Sequence, residues 1–511
     1  MMLRRSTRFT FPVRPRYLFN RNNSTPPPTL FTDNLASNIL LGLGTYARLA
    51  KYTLISLFGV GVVTWTAFEG AHLYVENIEL ASESDGEALR WEWHQEAERW
   101  SGGDGGGTDP ALGFKGRHAV RSAWMAQNWG IGPGSSVIGS NAFSSKGPSG
   151  AGGLNVVEAR LEFAQDYLAI ALEIAEAKSV DGKLHPDTIL RLLSRHAGVL
   201  ERIGSQASFF VSRSELEKVW ARLPAKGMDT ARIALKLGDL NHRLGDHEDA
   251  LTWWAKAIQL TLADKQRNVE DIAPVVPESA PVSPLAQRTL VSTLVSLSAF
   301  YATSGQLKQA KAIEESSLDL LRKITPSKSI KSASAPQTLH ALYILHRSSL
   351  LSIHLAEVLY ALRSSKSSSI EWLKTAAESS ERVALNLTGL PRIHPDAPLS
   401  KIPHPPASEA PLLPVFVQSI SMKKPATSLL RDARRTAAEA WNLMGILNEE
   451  ASNTEKALEC YGRALGWAGV PSDIPSGVTE PGEGILEVEW NVFWANYVRA
   501  RNAVQKRQDK P

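Results

Sequence analysis

Residues 52 to 68, YTLISLFGVGVVTWTAF, hold no charged side chain, and only Glu69 separates them from the apolar continuation AHLYV. A run of this length stands at the lower end of the roughly 17–25 residues that carry an α-helix across a bilayer. A core helix of a soluble protein would keep a polar face over such a distance. Tyr52 and Trp65 lie toward the ends of the run, where interfacial aromatics collect. Residues 52–73 are therefore expected to form a single transmembrane helix. Arg48 and Lys51 precede it; Glu69, Glu76, Glu79, Glu83, Asp85 and Glu87 follow it before the first base, Arg90.

Charge elsewhere sharpens this orientation. Residues 1 to 51 carry eight Arg and Lys side chains against the single acid Asp33, a net +7, so the formal +4 of the whole chain leaves −3 for the remainder. The front is also rich in Ser and Thr and has no acid before Asp33, which is the pattern of a mitochondrial transit peptide. A secretory signal would place its apolar stretch soon after the N-terminus rather than fifty residues in. Residues 1–51 are thus expected to be a presequence and basic tail on the matrix side of the mitochondrial inner membrane, with the body in the intermembrane space. An acidic body has no electrostatic footprint for phosphate backbones, which argues against nucleic acid as a partner. Cys460 is the only cysteine, so no intrachain disulfide or cysteine-based zinc site can form, and it is expected as a small buried helical residue.

Residues 74–153 are expected to be a juxtamembrane helix, from Leu80 to about Trp100, followed by a glycine-rich linker. SGGDGGGTDP and GPSGAGG flank a middle piece with Trp124, Met125 and Trp129, suited to docking on a scaffold or partner. Glycine runs can cradle phosphate, but no GK[ST] follows either one. From Leu154 onward the pattern is helical. Leu161, Ala164, Leu168, Ala171, Leu172 and Ala175 recur at spacings of three and four, and LHPDTILRLLSRHAGVLERIG starts on Pro186 and Asp187 and stops on Gly204. No alternating strand pattern of similar strength appears. The body, 154–511, is expected to be all-α, with proline-rich linkers near 272–286 and 391–425.

Two stretches carry a repeat. Residues 231–264 hold Leu237, Gly238, Gly245, Ala250, Trp254 and Ala257; residues 438–471 hold Trp441, Met444, Gly445, Ala457, Tyr461 and Ala464. This is the tetratricopeptide (TPR) pattern, with small residues where two helices approach and large ones filling the grooves beside them. Weaker copies run through Leu294, Leu297, Ser298, Tyr301, Gly305 and Ala310, then Leu355, Ala356, Leu359, Ser368 and Trp372, and an earlier helix pair falls around residues 187–223. Positions 238, 298, 356 and 445 are equivalent, and the gaps between them exceed one repeat, so linkers intervene. Trp490, Phe493, Trp494 and Tyr497 return at helical spacing, as an apolar face that caps the last repeat.

Presequence, single span and irregular TPR body together resemble the TPR adaptor subunit of the fungal mitochondrial i-AAA protease complex. A related look is that of the metazoan TPR protein serving respiratory complex III. By similarity to other TPR proteins, the groove positions are Arg232, Leu235, Asp239, His242 and Arg243 in the early repeat, and Glu439, Asn442, Ile446, Glu449 and Glu450 in the late one. Asp239 stands where chaperone-tail-binding TPR proteins use Asn, and it would repel a C-terminal carboxylate. The resemblance implies a non-catalytic adaptor that captures unfolded or misassembled proteins for the protease; the alternative is an assembly or maintenance factor for a respiratory complex. No HExxH, GxSxG, GxGxxG after a strand, or Walker loop is present, and neither a catalytic residue nor a cofactor nor a metal is expected. His94 between Glu92 and Glu96 fits no metal-ligand spacing, and these three are expected on a solvated face, as are Asp239, His242, His247, Glu248 and Asp249.

Overall fold

The computed structural model describes residues 33–96, 99–130, 136–138, 156–180, 182–224, 227–262, 274–324, 333–389, 411–469 and 490–508. The expected presequence up to residue 32, the glycine-rich stretch 139–153 and the proline-rich stretch 391–410 lie outside the described residues.

The chain divides into two compact units, Met1–Gly70 and Ala71–Pro511. Helix α1, Asp33–Tyr74, starts well before the expected span and takes in residues 33–51 of the expected basic tail. No proline interrupts it, and Leu, Ala and Ile fill its first turns, which favours continuation. A turn of π-helix, Val75–Glu79, follows. Leu43–Glu79 is long and apolar enough to cross a membrane, with a mean hydropathy of 1.5 and none of its most apolar stretch buried.

In the second unit, α2 (Gly86–Arg90) and α3 (Trp93–Glu96) are short, so the single juxtamembrane helix expected over 80–100 is broken in two. The break falls at Glu92, whose φ of 56° leaves the helical region. Helix α4 (Gly113–Asn128) replaces part of the expected linker, because its Ala119, Val120, Ala123 and Trp124 have an apolar partner surface to bury against. Strands β1 (Ser136–Ile138) and β2 (Val156–Glu158) form a small antiparallel ribbon that no sequence pattern announced.

The rest of the described chain is helical: α5 (Ala159–Ser179), α6 (Thr188–Ile203), α7 (Gln206–Arg222), α8 (Met228–Leu244), α9 (His247–Thr261), α10 (Pro284–Thr303), α11 (Leu307–Ile324), α12 (Ala335–Ala361), α13 (Lys366–Thr388), α14 (Pro414–Val417), α15 (Ile420–Glu450), α16 (Thr454–Trp467) and α17 (Trp490–Gln508). Two proline readings are corrected by these bounds. Pro284 opens α10 behind Ser283, whose hydroxyl accepts from Ala286 N, and Pro425 lies inside α15. Proline suits the first helical position, and near a helix start it deprives only one carbonyl of its partner.

Each long helix packs on the next in chain order, with α13 passing to α15, and α8, α10, α12 and α15 also touch in succession. The reason is visible in one recurring pair. Gly238 and Trp254, Ser298 and Glu314, Ala356 and Trp372, and Gly445 and Tyr461 are each 16 residues apart. A Cβ on Gly238 would stand 2.5 Å from the Trp254 ring, and one on Gly445 2.5 Å from the Tyr461 ring. Small residues on the first helix therefore let a large side chain of the second lie flat against its backbone. Gly245, at φ 90°, ends α8 and turns the chain into α9, a conformation costly for any side chain with a Cβ. Phe493 and Tyr497 on α17 pack against the last pair, as expected of a terminal cap. Cys460 is buried, and burial pushes its thiol up to about 12.

Candidate functional site

The segment that leaves the apolar helix does not run free. Residues 83–96 and 99–101 lie on the face formed by the first helices of the successive pairs, and at each one they are tied down. Glu83 Oε2 accepts from Ser419 Oγ at 2.6 Å, Ser421 N at 2.9 Å and Ser421 Oγ at 2.6 Å, at the start of α15. Burial opposes the charge, but these bonds and one from the Asp85 backbone hold its carboxyl down to about 2. Trp93, fully buried, donates from Nε1 to Pro336 O at 3.0 Å, at the start of α12. Glu92 Oε2 accepts from Ser283 Oγ (2.5 Å) and Leu285 N (2.9 Å), capping α10.

Three arginines then grip the main chain of this strap. Arg288 of α10 donates to Trp91 O at 3.2 Å and Glu92 O at 3.3 Å, pairs with Glu96 Oε1 at 2.6 Å, and stacks 3.9 Å from the Trp93 ring. Arg232 of α8 donates to Gln95 O. Arg195 of α6 donates to Arg99 O at 3.2 Å, and Thr188 to Ser101 O at 3.2 Å. Contacts to backbone carbonyls carry no sequence preference; they would hold any chain of suitable shape. Glu92 and Glu96, expected on a solvated face, are structural anchors, and no cluster of metal-ligating groups occurs among the described residues.

Beside the strap lies a cavity of about 790 Å³, bounded by residues of α4, α8, α10, α12 and α15. Its volume falls within the roughly 300–1,000 Å³ of ligand sites. Trp124, Trp129, Leu235 and Tyr343 line it with apolar surface, and Lys236, Arg347, Lys423 and Lys424 supply charge. Trp129 remains 50% exposed, an unusual state for an indole inside a folded unit.

Of the groove residues expected from sequence, Arg232 and Leu235 line this cavity. Most of the others contact the molecule's own side chains. Asp239 accepts from Trp254 Nε1 at 3.0 Å inside its own helix pair, and burial pushes its carboxyl up. His242 packs among His247, Trp254 and Phe300, and burial pushes its imidazole down, so it is not a solvated surface group. Arg243 lies 5.6 Å over the Phe209 ring. The late set faces the molecule's own helices. Asn442 accepts from Asn496 Nδ2 at 2.9 Å, Ile446 packs in the cluster with Tyr497, and Glu449 meets Arg499 at 2.8 Å, all on α17. Glu450 is held by Tyr360 OH at 2.9 Å and Lys366 at 3.3 Å, while Glu439 is exposed on α15 away from the cavity lining. Sequence reading missed Lys236, Tyr343, Arg347 and Lys423. The one signal available for the strap was its density of Trp and Glu.

A second polar cluster lies between α10, α11 and α12. Ser298 Oγ donates to Glu314 Oε1 at 2.8 Å and stands 3.0 Å from His354 Nδ1. The residue types are those of a hydrolytic triad, but the hydroxyl sits between its partners and is fully buried, so no substrate carbonyl can reach it. Burial raises Glu314 to about 7. The folded state then holds a proton that the unfolded chain releases, and stability falls as pH rises from about 4.5 to 7. Glu314→Gln keeps the acceptor and removes the titration. It is expected to flatten that slope and to raise stability at neutral pH by something on the order of 1 kcal/mol. Chemical denaturation of both proteins across this pH window checks it.

The described fold and site define a helical protein with one apolar helix able to span a membrane and a basic, aromatic cavity beside an internally bound segment. No protein-family model matches this sequence, and no curated protein is significantly similar to it.

Proposed function

We propose that this chain is a membrane-anchored, non-catalytic TPR-type adaptor that grips polypeptide on the face formed by its first helices. The observation that carries the reading is the strap: Arg195, Arg232 and Arg288 from three successive helix pairs already hold main-chain carbonyls of residues 91–99. A face that binds one chain segment through its backbone is chemically equipped to bind another in the cavity alongside. The 16-residue spacing between each small residue and its large partner supports the TPR assignment. The basic front and the acidic flank after the apolar helix support an inner mitochondrial membrane location, with the N-terminus in the matrix and the body in the intermembrane space. Unfolded or misassembled proteins are then the clients, and an i-AAA protease of that membrane is the acceptor.

Full-length protein in detergent micelles, mixed with a fluorescently labelled, denatured client, tests the binding step. Binding is expected without ATP. Trp129→Ala with Leu235→Ala removes apolar wall and is expected to weaken it about 5- to 30-fold, the scale of 1–2 kcal/mol at an aromatic contact. Undiminished binding by the double variant would remove the cavity from the account.

A further inference from the structure

The charge on the cavity wall does not follow the charge of the chain around it. After residue 51 the sequence carries −3, yet six Lys and Arg side chains line the cavity against three acids, Glu79, Glu96 and Asp432. Arg288, whose side chain is fully buried, is paired with Glu96 in the strap clamp, Arg232 with Asp229 at 3.7 Å and Lys236 with Glu201 at 3.5 Å, so the cations left to meet a ligand lie on α12 and at the start of α15. Arg347 lies over the Tyr343 ring at 4.9 Å, its charge supported by Tyr343, Asp432 and Glu96, while its buried Nε has no hydrogen-bond partner among the described residues. A buried guanidinium N–H left in this state is costly unless a ligand supplies an acceptor. Lys423, on the rim, is exposed. Apolar contact comes from Trp124, Trp129 and Leu235.

We infer that the cavity selects polypeptide segments in which acidic side chains stand next to bulky apolar ones. A carboxylate can accept from Arg347 Nε and Lys423 while the neighbouring apolar side chain lies against the tryptophans. Main-chain capture by itself would be indifferent to sequence, so the cavity adds a preference that the strap contacts lack. The contact with exposed Lys423 is one that salt weakens. The inference rests on the polypeptide-binding reading above.

Three fluorescein-labelled peptides of equal length test it, one alternating Glu with Phe and Leu, one with Lys in place of Glu and one with Gln. Binding to the full chain in nonionic detergent is read by anisotropy. The Glu peptide is expected to bind at least tenfold more tightly than the Lys peptide, and to weaken as salt rises. Lys423→Glu with Lys424→Glu, both exposed positions, is expected to cost the Glu peptide about tenfold and to help the Lys peptide, with an unchanged helical circular dichroism signal. Arg347→Met is a second variant with the same expected loss. Equal affinity for all three peptides, or an unaffected Glu peptide in both variants, would overturn the selectivity while leaving polypeptide binding in place. Failure of every peptide to bind would sink the binding reading itself. Displacement of the Glu peptide by anionic phospholipid vesicles, at matched negative charge, would reassign the cavity to lipid headgroups.

Discussion

Arg288→Ala is expected to lower the unfolding free energy by about 3–5 kcal/mol, because it breaks a buried ion pair and leaves one charge behind. The guanidinium is fully buried and serves Glu96, the carbonyls of Trp91 and Glu92, and the Trp93 ring at once. Its loss strands the Glu96 carboxylate and two carbonyls beneath the strap. Arg288→Met keeps the stem against Trp93 but still leaves Glu96 without its partner. Adding Glu96→Gln to Arg288→Met should then recover part of the loss, since the orphaned charge is removed. Denaturant titration of the single and double variants measures this. A deficit for Arg288→Ala below about 1 kcal/mol would mean that the strap is not held as described. Limited proteolysis should also cut between residues 83 and 101 faster in Arg288→Ala than in the parent chain.

Gly238→Ala and Gly445→Ala are each expected to destabilise the fold by about 1–3 kcal/mol, although alanine is the better helix former by nearly 1 kcal/mol on an exposed helix. The sign reverses because the added methyl would sit 2.5 Å from Trp254 in one case and 2.5 Å from Tyr461 in the other. Both rings are fully buried and have nowhere to go. The larger Gly238→Trp should prevent the α8–α9 pair from closing at all. Gly198, in α6, is the control: a Cβ there meets only the far end of Lys236, at 4.0 Å, so Gly198→Ala should be neutral or stabilising. Equal thermal midpoints for Gly198→Ala and Gly238→Ala would show that the close approach is not what glycine serves.

The parts of this fold that were legible in the sequence are those where one residue type is the only solution. Gly238 with Trp254, and Gly445 with Tyr461, announce helix pairs because only a missing side chain admits an aromatic ring at that distance. The pair built on Ser298 was harder to read. Glu314 stands where the other pairs have an aromatic, and only the structure reveals that Ser298 donates to it. The apolar helix was legible because seventeen uncharged residues in a row have few other uses. Its N-terminal extension through Arg48 and Lys51 was not, since isolated charges are compatible with helix and tail alike. Residues 80–130 misled for a physical reason. Glycine and short polar stretches normally mark solvent-exposed linkers, but here Glu83, Glu92 and Trp93 find buried partners more than 190 residues away in the chain. Local pattern holds no trace of such distant contacts. For the related reason, the sequence did not announce that α17 folds back on α15 and α16 and engages Asn442, Ile446 and Glu449 of the late groove set.

That the face beside the strap receives polypeptide is most directly tested by a photoreactive amino acid placed at Leu235, on the cavity wall, in the full-length protein within its own membrane. Irradiation followed by mass spectrometry of the adducts is expected to yield crosslinks to varied, incompletely folded proteins, increasing when misfolding is induced by heat. The same probe at Arg322, exposed on α11 and absent from the cavity lining, should yield few of them. Crosslinks from Leu235 to a single respiratory subunit at constant stoichiometry, or none above the Arg322 background, would contradict the account.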